Sequence, residues 1–289
     1  MAILKGIFRK QTGSIGDMTL RMVNGQTITS EKVHKNNSKS FLQMARRVRW
    51  ANILNLWRAF NGTLRPSFQD RPPLRSDFNM FIGANINGVP VYLTSSEAKQ
   101  GGCVVAAYQV TRGSLPTIDI GAGTGGVPVT DIALGNLVID SDTTLKQFSD
   151  AVVNNNENYH HGDQISCYIA LQDQNAVTGI PYVTVKAYEV TLDQLDEETL
   201  LSDLVDADGF SAVDGKLGAN STVNGGIVWV HSRKQSNGTA VSTQFFYVTN
   251  ALLAQYQTSA KRIEAIRSYG GETSQAFLVP NTDEAIATN

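Results

Sequence analysis

The chain has 289 residues, of which 42% are hydrophobic and 17% charged; it is long enough for one large domain or two modest ones and too apolar to be disordered throughout. It contains no run of 18 apolar residues, which excludes a membrane-spanning helix, and its two cysteines, Cys103 and Cys167, exclude a multi-bridge disulfide framework. The net charge of −2 divides into a basic head, with 14 Lys+Arg against three Asp+Glu in residues 1–75, and an acidic body, with 10 against 23 in residues 76–289.

The start, MAILKGIFRKQTGSIGD, breaks its apolar stretch with charge and is expected to carry no secretory leader. Residues 17–32 alternate in character around Asn24-Gly25, which predicts a tight hairpin. A polar link, HKNNSKS, leads to residues 40–60, SFLQMARRVRWANILNLWRAF. Ser40 and Gln43 form a capping-box pattern and Asn61-Gly62 marks a stop, so a helix of ~20 residues and ~30 Å is predicted. Phe41, Met44, Ala45 and Val48 form one apolar stripe; Trp50, Ile53, Leu54 and Trp57 form another. At about 100° per residue the two stripes lie on opposite faces, so the helix needs two neighbours. Either it is buried within one domain, or one face leaves the protomer.

Residues 61–82, rich in Pro and Arg, are expected to form an extended connector, with a domain boundary near residue 76. In the body, residues 103–111, 164–171, 182–191, 226–233 and 241–249 are rich in Val, Ile, Tyr or Thr and predict strands, the last two joined through Asn237-Gly238. Helices are expected at 142–153, with Leu145, Phe148 and Val152 on one side and Ser141 as cap, at the acidic stretch 193–205, and at 250–269, ended by Gly270-Gly271. The tail, VPNTDEAIATN, is expected to be loose or held by a partner.

Several motifs suggest chemistry and fall short of it. GAGTGG at 121–126 satisfies G-x-G-x-x-G, but VPVTDIALG follows, where a dinucleotide fold needs a helix. NYHHGDQ groups His160, His161 and Asp163; adjacent histidines on a strand point apart, and a polar turn is the expectation. The four histidines, His34, His160, His161 and His231, sit in no nucleophile motif. The acidic run Asp193, Asp196, Glu197, Glu198, Asp203, Asp206 and Asp208 lacks EF-hand spacing. No enzyme activity, cofactor or metal is therefore expected. Arg46, Arg47 and Arg49 beside Trp50 and Trp57 could neutralise phosphates and stack on bases without reading sequence.

The order GSIGD, an N-G hairpin, LQMARRVRWANILNLWRAF, RGSLP, GDQISCYIAL and VHSRKQSNGTAVSTQFF resembles a group of proteins encoded by gut bacteria and their crAss-like phages. In the phages such proteins look like virion components of the tail barrel and neck. The resemblance implies a structural role in a ring and no catalytic residues.

The expectation is thus an α+β protein: a β-rich body with three helices, preceded by a β-hairpin and a basic amphipathic helix. The domains are expected at 1–75 and 76–289. The leading function is a ring-forming subunit of a phage tail or head–tail connector, made in the host cytoplasm and resident in the virion, with other virion proteins as partners and non-specific contact with packaged DNA. A surface or periplasmic β-sandwich binding module and a sequence-independent nucleic-acid-binding protein are the alternatives. The subunit interface is expected at Arg46, Arg47, Arg49, Trp50, Ile53, Leu54 and Trp57, facing Glu197 and Glu198 of the next copy.

Overall fold

The computed structural model describes residues 2–4, 12–23, 25–32, 41–64, 67–72, 74–236 and 238–270. The Ser40 cap, Asn24, Asn237, the 34–40 link, Gly271 and the tail fall outside these residues, as does the side chain of Phe41. The chain divides into two units, Met1–Ser40 and Phe41–Asn289. The division falls before the basic helix, which belongs to the larger unit, rather than near residue 76.

The smaller unit is a four-stranded antiparallel sheet of β1 (Ala2–Leu4), β2 (Gly13–Ile15), β3 (Met18–Val23) and β4 (Gln26–Glu31), in the order β1-β4-β3-β2. Strands β3 and β4 form the expected hairpin, in register from Met18↔Glu31 to Val23↔Gln26. Gly25, at φ 77, supplies the left-handed conformation such a tight turn requires.

The larger unit begins with helices α1 (Phe41–Ala59), α2 (Asp77–Asn85) and α3 (Ser95–Lys99), followed by β5 (Gln109–Thr111), β6 (Ile120–Ala122), β7 (Pro128–Ala133) and α4 (Leu145–Asn155). The long strands β8 (Gln164–Gln174) and β9 (Pro181–Thr191) come next, then α5 (Leu201–Leu204), β10 (Ser211–Val213), β11 (Lys216–Gly218) and β12 (Gly225–Gln235). The chain then forms β13 (Gly238–Val241), β14 (Gln244–Phe245), β15 (Tyr247–Val248) and α6 (Ser259–Gly270).

The central sheet runs β13-β12-β8-β9, with β15 also on β12. Period-2 alternation sends Tyr168, Ala170, Val228 and Val230 into one hydrophobic cluster, and Ile165, Cys167, Ile169, Ile227 and Trp229 into another. The first cluster includes Ile53, Leu56 and Phe60 of α1 and Phe81 of α2. The second includes Leu145, Phe148 and Val152 of α4 and Leu217 of the small sheet β10-β11-β7-β6. The sheet is therefore covered on both faces, which is why β8 reads as the apolar run ISCYIAL, interrupted only by Ser166. The fold is α+β and β-rich, as expected.

Helix α1 has the two neighbours its stripes demand, and both lie in its own unit. Met44 and Val48 pack with Ala265 and Ile266 of α6, and Ile53, Leu56 and Phe60 enter the first core cluster. Two buried asparagines reinforce the second contact. Asn52 Nδ2 donates to the Val104 carbonyl (2.8 Å) and Asn52 Oδ1 accepts from the Val104 N–H (2.8 Å). Asn55 Nδ2 donates to the carbonyls of Ala98 (3.0 Å) and Gly102 (2.7 Å). Asn52→Ala would orphan both backbone groups of Val104. Each buried unpaired group costs about 1–3 kcal/mol, so a loss of about 2–4 kcal/mol in urea unfolding is expected.

Side-chain amides also explain a departure from the strand expected at 103–111. Only Gln109–Thr111 pairs with another strand. Upstream, Val105 N–H donates to Gln172 Oε1 (2.9 Å), Gln172 Nε2 donates to Cys103 O (3.1 Å), and Asn250 Nδ2 donates to Val105 O (2.9 Å). Side chains thus stand where a neighbouring strand would.

Other boundaries also move. The 61–82 connector ends early, because Ser76 accepts from the Asn79 N–H (3.3 Å) and caps α2. With α2 and α3 the body holds more than three helices among the described residues; both are too short to show a helical period. Helix α4 is capped by a Thr144/Gln147 capping box rather than by Ser141. The acidic stretch 193–205 is helical only at Leu201–Leu204. Asp193 Oδ1 accepts from the Leu195 N–H (2.7 Å) and Asp196 Oδ1 from the Thr199 N–H (2.8 Å), so these side chains divert the backbone into turns. The helix expected at 250–269 breaks at Thr258, between a 3-10 turn (Leu253–Gln257) and α6.

Candidate interaction surface

Burial of one side of α1 fixes which residues remain outside. Leu42, Arg46, Arg47, Trp50 and Arg58 are exposed, Trp50 at 42%. Arg46, Trp50 and Trp57 fall within about 40° of one another around the helix. The second stripe is therefore split. Ile53 is buried in the core, Leu54 and Trp57 are half-buried, and Trp50 faces solvent. Arg49 is half-buried and its charge reaches Tyr108, whose hydroxyl burial pushes above its ordinary range. The core positions Leu56 and Phe60 were not singled out from the sequence, because they fall outside the stripe that Trp50 suggested.

Trp57 also borders an open cleft of about 810 Å³, lined by Phe68, Gln69, Arg71, Ser76, Asp77, Phe78 and Thr239. Its aromatic wall is continuous. Phe78 meets Trp50 edge-on (6.2 Å between centroids) and Trp57 at a tilt (5.9 Å), and Trp57 meets Phe81 at 5.3 Å. The rim is polar: Arg71 pairs with Asp77 at 3.3 Å, and Gln69 Oε1 accepts from the Ser114 N–H at 2.9 Å. The arrangement offers a rigid aromatic strip flanked by guanidinium groups, suited to docking an acidic or planar partner.

Glu197 and Glu198 lie in the loop before α5 rather than on a helix. Both are exposed, with Leu195, at 86% exposure, between Asp193 and Asp196. Glu197 reaches Lys146 at 3.6 Å, and Lys146 also pairs with Asp150 at 3.3 Å. Asp206 and Asp208 share Lys186, so the acidic surface is partly neutralised.

The histidine motif forms a buried network. Asp163 accepts from His231 Nε2 (2.8 Å), from Arg233 Nε and Nη2 (both 2.7 Å), and from the His160 N–H (2.9 Å). Tyr159 stacks on His231 at 4.3 Å. Burial raises the Asp163 pKa, but Arg233, His231 and the His160 amide outweigh it and hold the carboxyl well below its usual range. His160 Nδ1 accepts from Arg233 (2.6 Å), whereas His161 turns to Asp150 (3.6 Å), so the adjacent histidines do diverge. Asp163 and His231 are 2% and 1% exposed and bind the turn before β8 to β12.

GAGTGG forms the end of β6 and a 3-10 turn before β7, with no helix starting there. No three His, Cys, Asp or Glu side chains among the described residues are placed to hold a metal, and no described helix is long and apolar enough to cross a membrane. Compared with known proteins, the chain matches no family model, no curated sequence and no solved structure.

Proposed function

We propose that this chain is a structural subunit of a bacteriophage virion, a ring-forming component of the tail or head–tail connector. The observation that carries the reading is the basic-aromatic strip on α1. Trp50 is held at the surface by a helix whose other side is buried in two clusters, with Arg46 and Arg47 one turn before it. A large aromatic side chain kept rigid and half-exposed beside arginines has the composition of an interface centre. The acidic loop with Glu197, Glu198 and exposed Leu195 offers a complementary surface on the next copy. A contact between two different faces closes into a ring when the rotation allows.

Exposed ion pairs contribute about 0–1 kcal/mol each and are screened beyond ~8–10 Å at physiological salt. Charge therefore orients the subunits and speeds their encounter, while the aromatic strip holds the contact. The test is light scattering of the purified chain across a salt series. Discrete multiples of the chain mass are expected, with association slowed by salt and by Arg46→Glu/Arg47→Glu. A variant that assembles at the wild-type rate at low salt overturns the docking face. Binding of DNA fragments with a steep salt slope, without self-association, would favour the nucleic-acid reading instead.

A further inference from the structure

On one side of the central sheet, the loop at 138–142, the acidic loop and α5 are joined around the start of α4. Thr143 Oγ1 accepts from the Asp140 N–H (2.9 Å), and the Thr143 carbonyl accepts from the Leu201 N–H (2.9 Å). Ser202 Oγ donates to the Ser141 carbonyl (3.4 Å), and the Lys146 N–H donates to the Asp196 carbonyl (2.9 Å). The joined segments leave Val138, Leu195 and Leu204 exposed, at 71%, 86% and 42%. Around them, residues 138–146 and 193–204 hold seven carboxylates and one basic residue, Lys146. Exposed aliphatic side chains within a charged rim have the composition of a docking surface.

Helix α1 carries the complement. Leu42, Arg46 and Trp50 recur every four residues along its exposed side, and the helix holds four arginines and no carboxylate. It cannot meet the Val138–Leu195–Leu204 surface of its own chain. Helix α1 packs through Ile53, Leu56 and Phe60 in the cluster of Val228 and Val230, whereas α4 and α5 pack through Leu145, Phe148 and Leu201 in the cluster of Ile227 and Trp229. Neighbouring residues of β12 point to opposite faces, so the sheet stands between the two. We infer that the Val138–Leu195–Leu204 surface receives α1 of a second copy of this chain. This rests on the reading of the chain as a self-assembling subunit and supplies the receiving half of that contact. One partner cannot satisfy faces on opposite sides of a sheet across a two-fold axis. Each copy therefore holds two neighbours, and the contact propagates toward a ring instead of ending in a pair.

The experiment uses the full chain, prepared in light and heavy isotopic forms, mixed, with a benzophenone amino acid in place of Leu195. Light activation should join position 195 of one isotopic form to α1 peptides of the other. Two charge-reversed chains give a second readout. Arg46→Glu/Arg47→Glu and Glu198→Arg/Asp203→Arg should each associate at least roughly tenfold more weakly alone and should assemble when mixed, because each then offers the face that the other lacks. Val138→Ser/Leu195→Ser should weaken association about tenfold. Thermal unfolding of the reversed chains checks that they fold; if either melts early, the links from position 195 decide alone. Links confined to one isotopic form, or made outside α1, overturn the inference. Folded reversed chains that stay apart when mixed, while the wild type assembles, overturn it too and leave the self-assembly reading standing. A wild-type chain that stays monomeric overturns both.

Discussion

Asp163→Asn is expected to destabilise the larger unit by about 3–5 kcal/mol, the cost of breaking a buried charge pair from one side. Asparagine keeps the shape but replaces one acceptor oxygen with an NH2 group. That group must face either the Arg233 guanidinium or His231 Nε2, both of which now donate to the carboxylate. Arg233 is 28% exposed and can recover some hydration; His231, at 1%, cannot. The urea midpoint should fall with an unchanged slope. The pH dependence follows from the lowered pKa of Asp163. The unfolded chain takes up this proton in the ordinary carboxylate range and the folded chain only well below it. The stabilisation is therefore complete above the ordinary range and is lost as pH falls toward the folded-state value. The gap between wild type and variant should be constant near neutrality and close in acid. An unchanged midpoint at neutral pH would show that the network carries no net stability.

The two tryptophans of α1 are expected to separate. Trp57→Ala should cost about 3 kcal/mol of stability, because Trp57 fills the angle between Phe78 and Phe81 and its loss leaves a void beside the core. Trp50→Ala should cost under about 1 kcal/mol, since Trp50 is 42% exposed and meets Phe78 edge-on. Its effect should fall on assembly, weakened roughly 30-fold if Trp50 is an interface anchor. Thermal unfolding and light scattering on the same two proteins check both halves. Equal loss of stability from both substitutions would make Trp50 a core residue and remove the anchor from the proposed contact.

From the sequence the two residues are equivalent, seven positions apart in one stripe. What distinguishes them is the position of α2, and α2 begins at a Ser76 cap inside a stretch that reads as a connector. The acidic run misled in a similar way. Its composition suits a solvated helix, but Asp193 and Asp196 accept from nearby backbone N–H groups and turn the chain instead. Side-chain competition of this kind leaves no periodic trace.

The sequence by itself determined the elements whose signal is local. Alternation and the turn determined the β3–β4 hairpin, apolar runs determined β8, β9 and β12, and spacing determined α4 and α1 with its need for two neighbours. These follow because periodicity reports which face of an element is dry, and that requirement is set residue by residue. Tertiary structure decided which neighbour each dry face meets. Asn52 finds Val104 across 52 residues, and Asp163 finds His231 across 68. Polar groups like these have no period of their own. Their partners are chosen when the sheet brings distant backbone together and most buried donors and acceptors find a match.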